Sequence, residues 1–178
     1  MKPSHISTMG TDKLVFYIIG GFTIVILVLI VLFSVNEGKQ SQAASNITSF
    51  SKNDKEKPEA VVSSTSSDLG NINVKDEKFA EFTIENKGNK PLKLFKVSSS
   101  CDCTFGQVTI DDNKSPEFTM HSRNPWIGTL DPGKKATLSV IYRPFIMPVK
   151  GAVTRDVYMQ TNDPSNSKLT FTVKALVE

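Results

Sequence analysis

An all-β sandwich behind a single N-terminal transmembrane helix is the architecture this sequence predicts. Three observations predict it. Leu14 to Phe33 is a run of 20 residues without a charge. From Lys78 to Glu178, short segments alternate apolar and polar residues with a period of two, the pattern of half-buried strands. Gly, Pro and Asn turn signals separate those segments, and no amphipathic helical pattern follows Phe33.

The charge balance narrows the function. The 178-residue chain carries a formal net charge of +3. From Asp68 onward, 15 Lys and Arg stand against 13 Asp and Glu. The basic residues are dispersed and not interleaved with aromatics, so no nucleic-acid footprint is expected. Two His and one Trp leave few candidates for a His-based catalytic site. No Gly-x-Ser-x-Gly, His-Glu-x-x-His or phosphate-cradling loop is present, and no enzymatic activity is expected.

The apolar run matches the hydrocarbon thickness of a bilayer at 1.5 Å per helical residue. Lys2 and Lys13 precede it, while Glu37 and Lys39 follow and cancel. The positive-inside rule then puts residues 1–13 in the cytoplasm, a signal anchor at 14–35 and the rest of the chain outside the cell membrane. The run is longer than the apolar region of a cleaved signal peptide, and the nearest small-residue site, Ser41-Gln42-Ala43, lies well past it.

Residues 36–67 are rich in Ser, Lys, Asn, Gln and Glu and nearly devoid of large apolar residues. They cannot bury enough surface to offset ordering entropy, and a flexible extracytoplasmic linker is expected. Glu59 to Ser63 is a candidate short first strand within it. Asn46-Ile47-Thr48 and Asn113-Lys114-Ser115 match a glycosylation sequon, which matters only in a host that reads it.

Residues 68–178, about 110 in all, are enough for one core. Ala80, Phe82 and Ile84 share one face of a strand from Lys78 to Glu85. Asn86-Lys87-Gly88-Asn89 supplies turn residues that accept positive φ. Leu92 to Val97 changes phase, which predicts a bulge near Leu94 or burial of both faces. Thr104 to Leu130 is the least regular stretch, with short candidate strands at Val108–Ile110 and Glu117–Met120. Asp111-Asp112-Asn113 reads as a solvated turn, since the Gly and distal Glu of a calcium loop are missing. Asp131-Pro132-Gly133 is a turn before a strand over Ala136 to Tyr142. Gly151 opens the next strand, whose inward phase Arg155 interrupts; a solvated strand end is expected there. Thr161-Asn162-Asp163-Pro164 is a turn, and Leu169 to Val177 is the most regular strand of all.

Several segments in this order resemble one family. They are Asp68-Leu69-Gly70, Phe82 to Leu92, Ser99-Ser100-Cys101-Asp102-Cys103-Thr104, Leu130-Asp131-Pro132-Gly133, Gly151 and Thr161-Asn162-Asp163-Pro164. Together they look like the bacterial Hydin-related, Ig-like family, a domain of unknown function. The resemblance covers Asp68 to Glu178. It implies an Ig-like β-sandwich on an exported or envelope protein and no enzymatic activity. Two departures stand out. Asp102 replaces the Gly common between the cysteines, and the connection from Phe105 to Thr129 is longer than usual and carries Met120, His121 and Trp126.

Cys101 and Cys103 are the only cysteines, and three readings of them stay open. Residues two apart on a strand point the same way, so both thiols face one site. Thiolate, thioether and imidazole together suit Cu(I), or less well Zn, with Met120 and His121 completing the set. An oxidising compartment instead favours a disulfide between them. Plain burial of two inert thiols is the third reading. The expected function is a membrane-anchored Ig-like domain for protein interaction or envelope structure, with an unknown protein partner. The alternative is a copper-binding or redox-active envelope protein using the cysteine pair.

Overall fold

The computed structural model describes residues 17–29 and 47–178. Residues 17–29 are helical, and the ends of the expected 14–35 anchor lie outside the described residues. Among the described residues, no helix is long and apolar enough to cross a membrane. The helical segment and the β domain are separate compact units.

The β domain is a sandwich of two five-stranded sheets. The strands are β1 (Ala60–Val62), β2 (Ser66–Ile72), β3 (Lys78–Asn86), β4 (Leu92–Ser99), β5 (Thr104–Ile110), β6 (Asn113–Lys114), β7 (Ile127–Leu130), β8 (Lys135–Tyr142), β9 (Gly151–Thr161) and β10 (Lys168–Val177). One sheet runs β1-β3-β8-β5-β6 and the other β2-β10-β9-β4-β7. All pairs are antiparallel except β2 with β10. Alternation builds the core between them: Phe82, Ile84, Leu92, Leu94, Val108, Leu138, Val140, Met159 and Phe171 are all buried there. The rings of Phe82 and Phe171 meet across the gap at 5.2 Å.

Some expectations hold and others are corrected. The candidate first strand at Glu59 to Ser63 is present as β1, which pairs with the C-terminal end of β3, so the sandwich starts before Asp68 and takes in the end of the expected linker. Gly88 is not a positive-φ residue. A Cβ there would stand 2.3 Å from the Lys57 carbonyl oxygen and 2.5 Å from the Glu59 nitrogen. The glycine therefore admits the incoming chain rather than a special turn conformation. The bulge falls between Phe95 and Ser98, where Lys96 takes φ 48°. The stretch from Phe105 to Thr129 is not one loop. It holds most of β5, all of β6 and the start of β7, whereas Glu117–Met120 contributes only the single bridge Gly106↔Phe118. Asp111 and Asp112 both have positive φ between Ile110 and Asn113, which pair across the turn, giving a tight two-residue hairpin turn.

The sandwich has two distinct ends. The β3–β8 register pairs Lys78 with Tyr142 and Glu85 with Lys135. Lys78, Tyr142, Thr104 and the cysteines therefore share one end, together with Gly151 and Val177. Asn86, Lys135 and Thr161 share the other, where β1 joins.

Candidate functional site

The cysteines occupy the turn between β4 and β5, not a strand. Their sulfurs are 2.00 Å apart, a disulfide across one residue with Cα atoms 5.3 Å apart. Both face inward. Cys103 is fully buried and Cys101 is 9% exposed, packed with Ile72, Tyr142, Ala175 and Val177 in a small cluster of their own. The turn is held from every side. Ser99 Oγ donates to the Cys101 carbonyl at 2.7 Å, and the Arg143 N–H donates to the Cys103 carbonyl at 2.9 Å. Ser100 N–H donates to the Asp156 carbonyl at 2.9 Å, while the Asp156 N–H donates back to Ser100 Oγ at 2.9 Å. The Thr104 hydroxyl lies 3.3 Å from Cys101 Sγ.

The four residues expected as a soft-metal set are not assembled as ligands. The sulfurs are bonded to each other and point into the core. His121 does reach the cysteine turn, but its Nε2 lies 3.5 Å from the Asp102 carboxylate on the surface. Met120 is exposed. Among the described residues, no group of three or more His, Cys, Asp and Glu is placed to hold a metal ion.

Arg155 only partly fits the solvated strand end expected of it: its Nη1 donates to the Thr154 carbonyl at 2.9 Å on the exposed side, but the rest of the side chain turns inward. It sits on the inward phase of β9, only partly exposed, with its guanidinium carbon 5.7 Å from the Tyr142 ring centroid. Its Nε and the Tyr142 hydroxyl are buried with no hydrogen-bond partner among the described residues. A cation can occupy an inward position here because an aromatic face receives it.

Around the same end lies an apolar surface that sequence reasoning missed. Pro144–Ile146 forms one 3₁₀ turn after β8, and Phe145, Ile146, Met147 and Val149 all stay exposed. Phe79, also exposed, is in register with Ile141 on the outer face of β3. Phe105 is in register with Ile141 from the other side. Arg143 stacks over the Phe105 ring at 4.3 Å. It donates to both carboxylate oxygens of Glu117, at 2.6 and 2.9 Å, and to Glu77. Hydrogen bonding from Arg143 holds the Glu117 carboxyl below its ordinary value against the opposing effect of burial. The same pairing raises Arg143. The signal available beforehand was a run of four large apolar residues, broken only by Pro148, between two strands.

The opposite end is polar and closed. Asn86 donates from Nδ2 to the carbonyls of Lys90 and Leu130, at 2.8 and 2.9 Å. Its Oδ1 accepts the Gly88 N–H at 3.0 Å. Asn162 Oδ1 accepts the Lys93 N–H at 2.8 Å. Asp163 accepts the Ala60 N–H at 2.9 Å, the Ser165 N–H at 2.8 Å and Asn166 Nδ2 at 2.9 Å. Burial alone would push the Asp163 carboxyl up, but these bonds outweigh it and hold the carboxyl below its usual range.

A family profile described as the HYDIN/CFA65/VesB-like, Ig-like domain matches residues 58–175. A crystal structure of a protein of unknown function from Porphyromonas gingivalis W83 is similar, with a TM-score of 0.50 and 20% identity. The match covers 68% of this chain and 48% of that one, so the chain spans about half the length of that relative. The ASH / PapD-like domain of human CEP192 aligns at a TM-score of 0.46 and 13% identity, over 75% of this chain and 96% of that one. A search among curated proteins returns no match.

Proposed function

We propose, from the premise that this chain belongs to the HYDIN/CFA65/VesB-like, Ig-like family, that it is a membrane-anchored, extracytoplasmic binding module rather than an enzyme. Its contact surface is the disulfide end of the sandwich. The observation that carries this reading is the cluster of exposed apolar side chains on the β8–β9 loop, Phe145, Ile146, Met147 and Val149. Large apolar residues gathered on one exposed loop mark interaction sites far more often than isolated ones do. The disulfide and its surrounding hydrogen bonds serve as the rigid base of that loop, since Arg143, the residue that starts it, is bonded to the Cys103 carbonyl. The uncharged run from Leu14 to Phe33 supports the anchor, and Lys2 and Lys13 ahead of it support a cytoplasmic N-terminus.

Site-specific photo-crosslinking in cells tests the contact surface. A benzophenone side chain at position 145 should give adducts, and one at Lys87, on the opposite end, should not. Equal yields at the two positions, or none at 145, would refute it. Protease access to the C-terminal domain in intact cells tests the topology.

A further inference from the structure

The β8–β9 tip combines three features. First, Phe145, Ile146, Met147 and Val149 are 49%, 42%, 49% and 39% exposed, and Phe79 at 60% continues the patch from the same end of β3. Second, the chain from Arg143 to Arg155 contains no Asp or Glu, while Lys150 follows the apolar run directly and is exposed. The carboxylates at this end have partners of their own: Glu77 and Glu117 are engaged by the Arg143 guanidinium, Glu178, which follows the Val177 paired with Gly151, accepts from Asn71 Nδ2, and Asp102 faces His121. Third, the loop is stiffened by Pro144 and Pro148 and by a 3₁₀ turn, so its side chains are presented rather than collapsed. Proline limits the freedom lost on docking. An apolar tip with a cation beside it and no free carboxylate within it matches a lipid surface, where acyl chains lie beneath anionic headgroups.

We propose that this tip docks on an anionic lipid bilayer. Phe145, Ile146 and Met147 enter the boundary between headgroups and acyl chains, and Lys150 meets headgroup phosphates. The inference rests on the reading of this end as the contact surface and names its partner class. A protein partner would be expected to offer complementary polar groups, and the tip presents almost none beyond Lys150.

The test uses the full chain, inserted through its N-terminal segment into nanodiscs of phosphatidylcholine. Vesicles of phosphatidylcholine, with or without phosphatidylglycerol, are added and floated. The loaded nanodiscs should float with the anionic vesicles. The triple change Phe145→Ser, Ile146→Ser, Met147→Ser should weaken this by on the order of a hundredfold. Lys150→Glu should weaken it roughly tenfold. Unchanged Trp126 emission and an unchanged urea midpoint establish that the variants are folded. Absence of flotation, equal flotation of the triple variant, or equal flotation with neutral vesicles would each overturn the proposal. So would a protein adduct from position 145 while the vesicles stay unbound. A chain that fails to enter nanodiscs refutes the anchor alone, and the vesicle arm is then run on the free full chain.

Discussion

Replacing Asp163 by Ala isolates the force that closes the Asn86 end. The carboxylate accepts three hydrogen bonds, from Ala60 N, Ser165 N and Asn166 Nδ2, all between 2.8 and 2.9 Å. It is almost fully buried, and so is Ala60. Hydrogen bonds to a charged acceptor are each worth roughly 1.5–3 kcal/mol. Three sharing one carboxylate do not add, and desolvation of the carboxylate offsets part of their sum. The variant should therefore lose about 3 kcal/mol, a large share of the roughly 5–15 kcal/mol that holds a domain together. Urea unfolding of the full chain in detergent, read by Trp126 emission, is the assay. Trp126 is the only tryptophan and packs on Phe118 at 5.6 Å, so its emission reports the sandwich. With a slope of about 1.5 kcal/mol per M, the midpoint should fall by roughly 2 M. The pH dependence has a definite sign. The folded carboxyl lies below its ordinary value, so its contribution is complete above the unfolded value near about 4 and disappears as the pH falls through the folded one. The gap between wild type and Asp163→Asn should accordingly shrink in strong acid. An Asp163→Ala midpoint within about 0.5 M of wild type would mean the carboxylate is hydrated and does not clasp β1.

Three further outcomes follow from the same packing. Tyr142→Phe removes a buried hydroxyl that has no partner among the described residues, so the urea midpoint should hold or rise, and a loss above about 1 kcal/mol would show a partner for that hydroxyl. Gly88→Ala drives a methyl into the Lys57 carbonyl. It should cost roughly 1–3 kcal/mol and speed amide hydrogen exchange at Val61 and Val62 before the rest of the sandwich, as mass spectrometry of labelled peptides would show. Cys101→Ala with Cys103→Ala opens a ring of only three residues, whose closure is worth about 1.5 kcal/mol of chain entropy. The domain should stay folded with a lower urea midpoint, and outright unfolding would show that the turn depends on the covalent link.

What could be read in advance followed from period and punctuation. β10 was legible because Leu169, Phe171, Val173, Ala175 and Val177 alternate without a break, and each is buried in the structure. The Asp131-Pro132-Gly133 turn was legible because Gly133 needs the φ of 78° it takes. The strand at β7 was not, since four residues with one buried glycine carry almost no periodic signal. A Cβ on Gly128 would meet not only the Trp126 ring two residues back, at 2.6 Å, but also Ile110 Cδ1 at 2.8 Å, and that second contact, from another strand, is one no local pattern encodes. The inward half of Arg155 escapes the local pattern for a similar reason. Charge at an inward phase argues for solvent until an aromatic ring on the opposing sheet is known to face it.

The candidate site was harder to read than the fold, and the two ends show why. Asn86, Asn162 and Asp163 look like ordinary turn residues, because a turn asks only for backbone conformations that Asn and Asp tolerate. The burial of Asp163 owes much to β1, the short candidate strand at Glu59 to Ser63, which brings the Ala60 N–H to its carboxylate, a long-range pairing that the turn residues themselves do not announce. These motif residues are thus explained by closure of the sandwich. At the other end, the cysteine spacing drew notice as chemistry, yet the sulfurs face inward and the turn's hydrogen bonds fix the start of the next loop. That loop, Pro144 to Val149, has no helical or strand period and so gave no element to interpret. Its apolar side chains have no place in the core because the 3₁₀ turn after Arg143 carries them past the end of β8. Exposure that the packing of the sandwich does not require is what a contact surface needs, and it is concentrated there.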